Sequence, residues 1–116
     1  MFLPLQTKVY LAVGITDMRK SINGLSILVE NTLEMDPFCG HLFAFCNRRQ
    51  NMIKILYWGR NGFCLWHKRL EKHRFKWPAF PEDVMEIDHR ELNWLLEGLD
   101  LGKIRAHERL NYTTLI

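Results

Sequence analysis

The chain has 116 residues, 47% of them hydrophobic and 12% aromatic, enough for one domain with a real core and too few for two comfortable ones. No stretch reaches the roughly 18 uninterrupted apolar residues of a membrane span, and the opening "MFLPLQTKVY" lacks the basic region and long apolar run of a signal peptide, so an intracellular protein without a membrane partner is expected. The net charge of +3 conceals a segregation: residues 1–46 hold three basic and four acidic side chains, residues 47–77 nine and one, and residues 78–116 four and eight.

In chain order, "KVYLAVG" is rich in strand formers and predicts a first strand over Val9 to Val13, ended by Gly14. In the following "TDMRKSINGLSILVENTLEMDP", Met18, Ile22, Leu25, Leu28, Val29 and Leu33 recur at spacings of three and four, the apolar stripe of a helix. Thr16 or Asp17 is the expected N-cap, and Asp36-Pro37 lies beyond the expected end. Gly24 inside the helix costs roughly 1 kcal/mol relative to Ala, which points to close packing against a neighbour.

From His41 the period changes to two. "HLFAFCN", "MIKILYW" and "FCLWHKR" predict three strands joined by short connections at "RRQ" and "GRNG", an antiparallel meander, with Asn61-Gly62 supplying the positive φ of a tight turn. With an even-numbered second connection, Ile53, Ile55, Tyr57, Cys64, Trp66 and Leu70 share one face, expected to pack on the helix. Lys54, Leu56, Trp58, Leu65, His67 and Arg69 share the other, expected to be partly wet.

"AFPEDVMEI" holds a possible last strand. "DHRELNWLLEG" predicts a second helix with Asp88 as cap, Glu91 completing a capping box, Leu92, Leu95 and Leu96 as its stripe and Gly98 as its end. The fold class is therefore α+β: a single small domain over residues 1–98, an antiparallel meander packed on one main helix with a short C-terminal helix. Residues 99–116 form an extended or poorly ordered tail.

The basic stretch "NRRQNMIKILYWGRNGFCLWHKRLEKHRFKW" is built from good strand formers, so it reads as a charged, folded surface rather than a solvated tail. Its cations Arg48, Arg49, Lys54, Arg60, Lys68, Arg69, Lys72, Arg74 and Lys76 are candidate phosphate contacts. Trp58, His67 and Trp77 are candidates for stacking on unpaired bases or for burial in an interface. The bland alternative is a sheet edge whose Lys and Arg merely discourage aggregation, a purpose that needs far fewer charges. Arg19 and Lys20, placed in the first helical turn where the helix dipole disfavours cations, make a second candidate anion site; alternatively they point to water or pair with Asp17.

Catalytic and metal readings are weak. Cys64 and His67, three apart on a strand, fall on opposite faces, too far for a nucleophile and its base. Three cysteines without C-x-x-C spacing suggest neither a disulfide framework nor a zinc site, the acidic run Glu82 to Asp88 reads as solvated, and no cofactor or small-molecule substrate is implied.

"VYLAVGITDMRKSINGL", "DPFCGHLFAFCNRRQNMIKILYW" and "NGFCLWHKRLEKHRFKWP" together resemble the accessory protein family of the insertion sequence 66 elements, the TnpB or second-open-reading-frame products, from about Val9 to Pro78 and more weakly through "ELNWLLEGLD". The resemblance implies a bacterial, cytoplasmic, non-catalytic helper of transposition, encoded beside a separate transposase and nucleoid-associated when bound to DNA. The partners it implies are DNA, the transposase and another accessory protein. Gly59 stands where the family block leads one to expect an acidic residue, which makes that turn more basic. Two functions remain open at this point: DNA binding through the basic meander, or a protein adaptor that docks its basic and aromatic face, with Trp58, Trp66 and Trp77 as anchors, on an acidic region of a partner.

Overall fold

The computed structural model describes residues 7–106. Within them the chain forms one small α+β domain built on a five-stranded sheet in the order β4-β3-β2-β1-β5. The elements are β1 (Val9–Ile15), α1 (Ile22–Asn31), β2 (Leu42–Cys46), β3 (Met52–Gly59), β4 (Gly62–Arg69), β5 (Val84–Ile87) and α2 (His89–Leu96). The expected antiparallel meander is β2-β3-β4. The sheet as a whole is mixed, because β1 pairs parallel with β2, through the crossover helix α1, and antiparallel with β5.

Alternation sorts the strands into two faces as the sequence pattern required, and helices cover both. Leu42, Ala44, Cys46, Ile53 and Ile55 point to one side, where Leu92 and Leu95 of α2, Phe75 and Leu101 close over them. Phe43, Phe45 and Leu56 point to the other, where Leu25 and Val29 of α1 and Leu33 just beyond its end dock, with Met18, Ile22 and Leu28 partly buried beside them. The face expected to be wet is thus the one that receives α1, and the face assigned to α1 receives α2. The reversal has a plain cause: period-two alternation fixes which residues share a face, but the crossover from β1 to β2 decides which helix lies on it. All of β2 is buried, as a central strand covered on both sides must be.

Helix α1 starts later than expected. Its N-cap is Ser21, without a side-chain capping bond, so Thr16 to Lys20 form a turn ahead of the helix rather than its first turn. Gly24 does pack closely: a Cβ there would lie 3.1 Å from Cβ of Lys20. The β3-β4 hairpin is closed by the two residues Arg60 and Asn61 between paired Gly59 and Gly62. Among the described residues, positive φ occurs at Glu34, Gly40, Gln50 and Gly98, not at Asn61 or Gly62, so the turn is centred one residue earlier than expected and closes without the left-handed residue expected of it. Gly59 has little room for any side chain, since a Cβ would come within 3.2 Å of Cys64 Sγ.

Helix α2 follows its sequence signals closely. Asp88 accepts from the Glu91 backbone N–H, the Glu91 side chain accepts from that of Asp88, and Gly98 follows the helix at φ 88°. Beyond it, residues 101–106 are helical and Leu101 is buried in the core, which corrects the expectation of a structureless tail from residue 99; residues 107–116 lie outside the described ones. No helix among the described residues is long and apolar enough to cross a membrane.

Candidate nucleic-acid interface

The connection between β2 and β3 is a short, internally bonded turn. Asn47 Oδ1 accepts from the backbone N–H groups of Asn51 and Met52, both at 3.1 Å, and its amide donates to Asn51 Oδ1 at 2.7 Å. Gln50, at φ 56°, closes the turn by donating its N–H to the Asn47 carbonyl. Asparagine is suited to this because its side chain imitates a backbone acceptor. The consequence is that Arg48 and Arg49 sit exposed on a turn whose backbone is already fixed.

Two further segments are drawn to the same end of the sheet. The Phe75 N–H donates to the Gln50 carbonyl at 2.6 Å and its ring is fully buried, so Arg74 and Lys76 flank the turn. On the other side the pairing of β1 with β2 slips between Leu11 and Ile15, and Thr16 N–H then bonds the Cys46 carbonyl at 2.9 Å. Such an irregularity bends a strand end. It leaves Ile15 64% exposed at the edge of a hollow.

That hollow is an open cleft of about 1270 Å³ at the carboxyl ends of the parallel strands β1 and β2. Arg19, Arg48, Arg49, Lys54 and His67 line it together with Asp17, Ile15, Met18, Met52 and Leu65. Members of the two candidate sites expected separately, Arg19 of "GITDMRK" and Arg48, Arg49 and Lys54 of the meander, line this one cleft.

Charge within the cleft is unevenly available. Arg19 forks onto Asp17, with Nη2 to Oδ2 at 2.6 Å, and this holds the Asp17 carboxyl down to about 2 from its ordinary 3.8. Lys54 Nζ donates to the carbonyls of Met18 at 2.8 Å and Lys20 at 2.9 Å, tying the turn ahead of α1 to β3. Arg48 and Arg49 meet no carboxylate among the described residues. Among the described residues no acid of the C-terminal third pairs with them; Glu86 pairs with Lys8 and Glu91 with Arg105.

The family described as "IS66 Orf2 like protein" matches residues 7–106. The chain belongs to this family. Among its relatives, a protein of Sinorhizobium fredii (strain NBRC 101917 / NGR234) described as uncharacterized protein y4hO is 36% identical over 93 residues, covering 80% of this chain and 81% of the relative. A second from the same strain, uncharacterized protein y4jC, is 31% identical over 98 residues, 84% of each chain. No solved structure matches. Membership associates the chain with the transposition of insertion sequences.

In this IS66 Orf2-like chain the remaining sequence candidates are dispersed. Arg60 lies at the hairpin tip, about 25 Å along β3 from the turn that carries Arg48 and Arg49 at roughly 3.3 Å per residue. Lys68 is on the opposite face of the sheet, where Nζ donates to the Leu96 carbonyl at 3.0 Å at the end of α2. Arg69, paired with Met52 across the strands, lies at the cleft end but bonds Glu71 at 3.2 Å; Lys72 is exposed beyond it. Lys20 is exposed beside the cleft, its carbonyl held by Lys54.

Of the stacking candidates, only His67 lines the cleft. Trp58 packs edge-on against Phe38 and Phe63, each with centroids 5.0 Å away, near the hairpin tip. Trp77 packs against the α2-side core, its indole N–H donates to the Ala12 carbonyl at 3.1 Å, and it borders a separate cavity of about 390 Å³. Trp66 also packs on that core. The residues that sequence reading missed are Asn47, Asn51 and Gln50, whose repeated amides around "RR" were the visible signal of a bonded turn.

Proposed function

We propose that this protein is a non-catalytic accessory factor of transposition that binds DNA through the cleft at the turn end of its sheet. The observation that carries the reading is the pair Arg48 and Arg49, exposed, unpaired among the described residues and held on a pre-bonded turn that lines one cleft with Arg19, with Arg74 on the segment bonded to that turn at Gln50. Guanidinium forks match phosphate oxygens, and a turn that is fixed before binding loses little freedom on contact. The acting cations are Arg19, Arg48, Arg49, Lys72 and Arg74, supported by Lys20 and Arg69 at the margin; Lys54 holds the cleft together, and Lys76 borders the separate cavity beside Trp77.

The test is a titration of element-end DNA by fluorescence anisotropy over a range of salt. With four to six phosphates engaged, log K falls against log salt with a slope of roughly −3 to −5. An affinity that ignores salt, or no affinity, sinks the reading.

A second reading, an adaptor that docks on the transposase or on another accessory protein, is favoured by the cluster Phe38, Trp58 and Phe63, in which Phe38 is 55% exposed. Trp66 and Trp77 are unsuited to it because both pack into the core. Alanine at Phe38 and Trp58, followed by transposase pull-down, separates this surface from the cleft.

A further inference from the structure

Resting on the DNA-binding reading, we infer that the cleft takes an unpaired stretch of DNA and not the face of a duplex. The first reason is shape. A duplex is read by an element that enters its groove, a helix or a two-stranded ribbon. The ribbon here is the β3-β4 hairpin, whose tip brings only Arg60 and whose aromatic neighbours pack on one another. The cations gather instead around a concavity, into which a convex duplex cannot lower its bases while they stay paired.

The second reason is the lining. Ile15, Met18, Met52 and Leu65 supply an apolar part of the cleft wall, in the same lining as His67, Arg19, Arg48 and Arg49. Paired and stacked bases hide their faces and gain nothing from such a wall. An unpaired base exposes two apolar faces, which proteins cover with aromatic, apolar or guanidinium surfaces while cations follow the backbone. The alternation of β3 and β4 produces this juxtaposition directly: Met52, Lys54, Leu65 and His67 fall on one face of the ribbon, with Lys54 opposite His67, so apolar and polar groups meet in the cleft lining.

The third reason is size. About 1270 Å³ exceeds the roughly 300–1,000 Å³ typical of small-molecule pockets, so the cleft suits a short run of strand better than a free mononucleotide.

The experiment uses the full chain and three probes at one salt concentration: a labelled strand, the same strand fully paired and blunt-ended, and that duplex extended by an unpaired tail. The strand and the tailed duplex are expected to bind about tenfold more tightly than the blunt duplex, as stacking of one or two bases provides. His67→Ala should remove most of that difference by weakening the strand and the tailed duplex more than the blunt duplex, and Arg49→Glu should weaken all three. A blunt duplex that binds as tightly as the strand overturns the inference but leaves DNA binding intact. Failure of all three probes to bind overturns the DNA-binding reading itself.

Discussion

The two ends of the β3-β4 ribbon have similar composition and opposite organisation. At the turn end, Arg48 and Arg49 line a cleft with Arg19, Arg74 is exposed on the segment bonded to the turn through Phe75, and the turn is held by Asn47. At the hairpin end, a lone Arg60 caps a cluster in which Trp58, Phe63 and Phe38 satisfy one another. In sequence, basic and aromatic residues are interleaved almost evenly; in space the unpaired Arg48 and Arg49 lie at one end and the mutually packed Phe38, Trp58 and Phe63 at the other. A basic, aromatic stretch is therefore not one surface, and counting its charges overstates the number that one ligand can meet.

The largest expected effect comes from breaking the turn end at its anchor. Phe75→Ala empties a fully buried site and should cost roughly 3–5 kcal/mol, read as a lower denaturant midpoint. Because the segment carrying Arg74 and Lys76 hangs on this ring, DNA affinity should fall with stability. Unchanged stability would mean that the segment is not anchored as described.

Reversing charge at the two ends sharpens the contrast. Arg48→Glu with Arg49→Glu should leave stability within about 0.5 kcal/mol, since both side chains are exposed and unpaired among the described residues. It should make the salt slope shallower by about two, one for each lost phosphate contact. Arg60→Glu, at the other end, should change affinity less than about twofold if that end is outside the interface. Equal effects at both ends would remove the distinction drawn above.

Asn47→Ala asks whether the turn is preorganised. It removes the acceptor of two backbone N–H groups and should cost about 1–2 kcal/mol of stability, with weaker DNA binding although no cation is touched.

The smallest effect concerns Asp17. Its carboxyl is held at about 2 by the Arg19 fork, so its contribution to stability is complete above the ordinary 3.8 and disappears as pH falls through about 2. An NMR titration of the side chain should give a midpoint near the lower value. At neutral pH, Asp17→Asn releases Arg19 and removes the cleft's own negative charge, so DNA affinity should rise severalfold.

Much of the secondary structure was legible because local signals agreed. The alternation from Leu42 to Arg69, the stripe of Leu25, Val29 and Leu33, and the capping box of Asp88 and Glu91 each follow from neighbours in the chain. The start of α1 was misread because Thr16 and Asp17 are good caps in isolation. Thr16 is instead tied to the sheet end by its backbone N–H on the Cys46 carbonyl, and the Asp17 carboxylate is engaged by Arg19. Leu101 was missed because a single turn of helix has too little periodicity to recognise, although the core receives it.

The sequence alone determined the α+β class, the pairing parity of the meander, the limits of α2 and the existence of a strongly basic middle third. Each depends on residues only a few positions apart, where backbone geometry leaves few choices. Only the tertiary structure decided which helix covers which face, that Lys54 and Lys68 are committed to backbone carbonyls, and that Arg19 meets Arg48 and Arg49 in one cleft. Those outcomes follow from the parallel pairing of β1 with β2, which brings residues some thirty positions apart to the same end of the sheet. No periodicity within either segment encodes that.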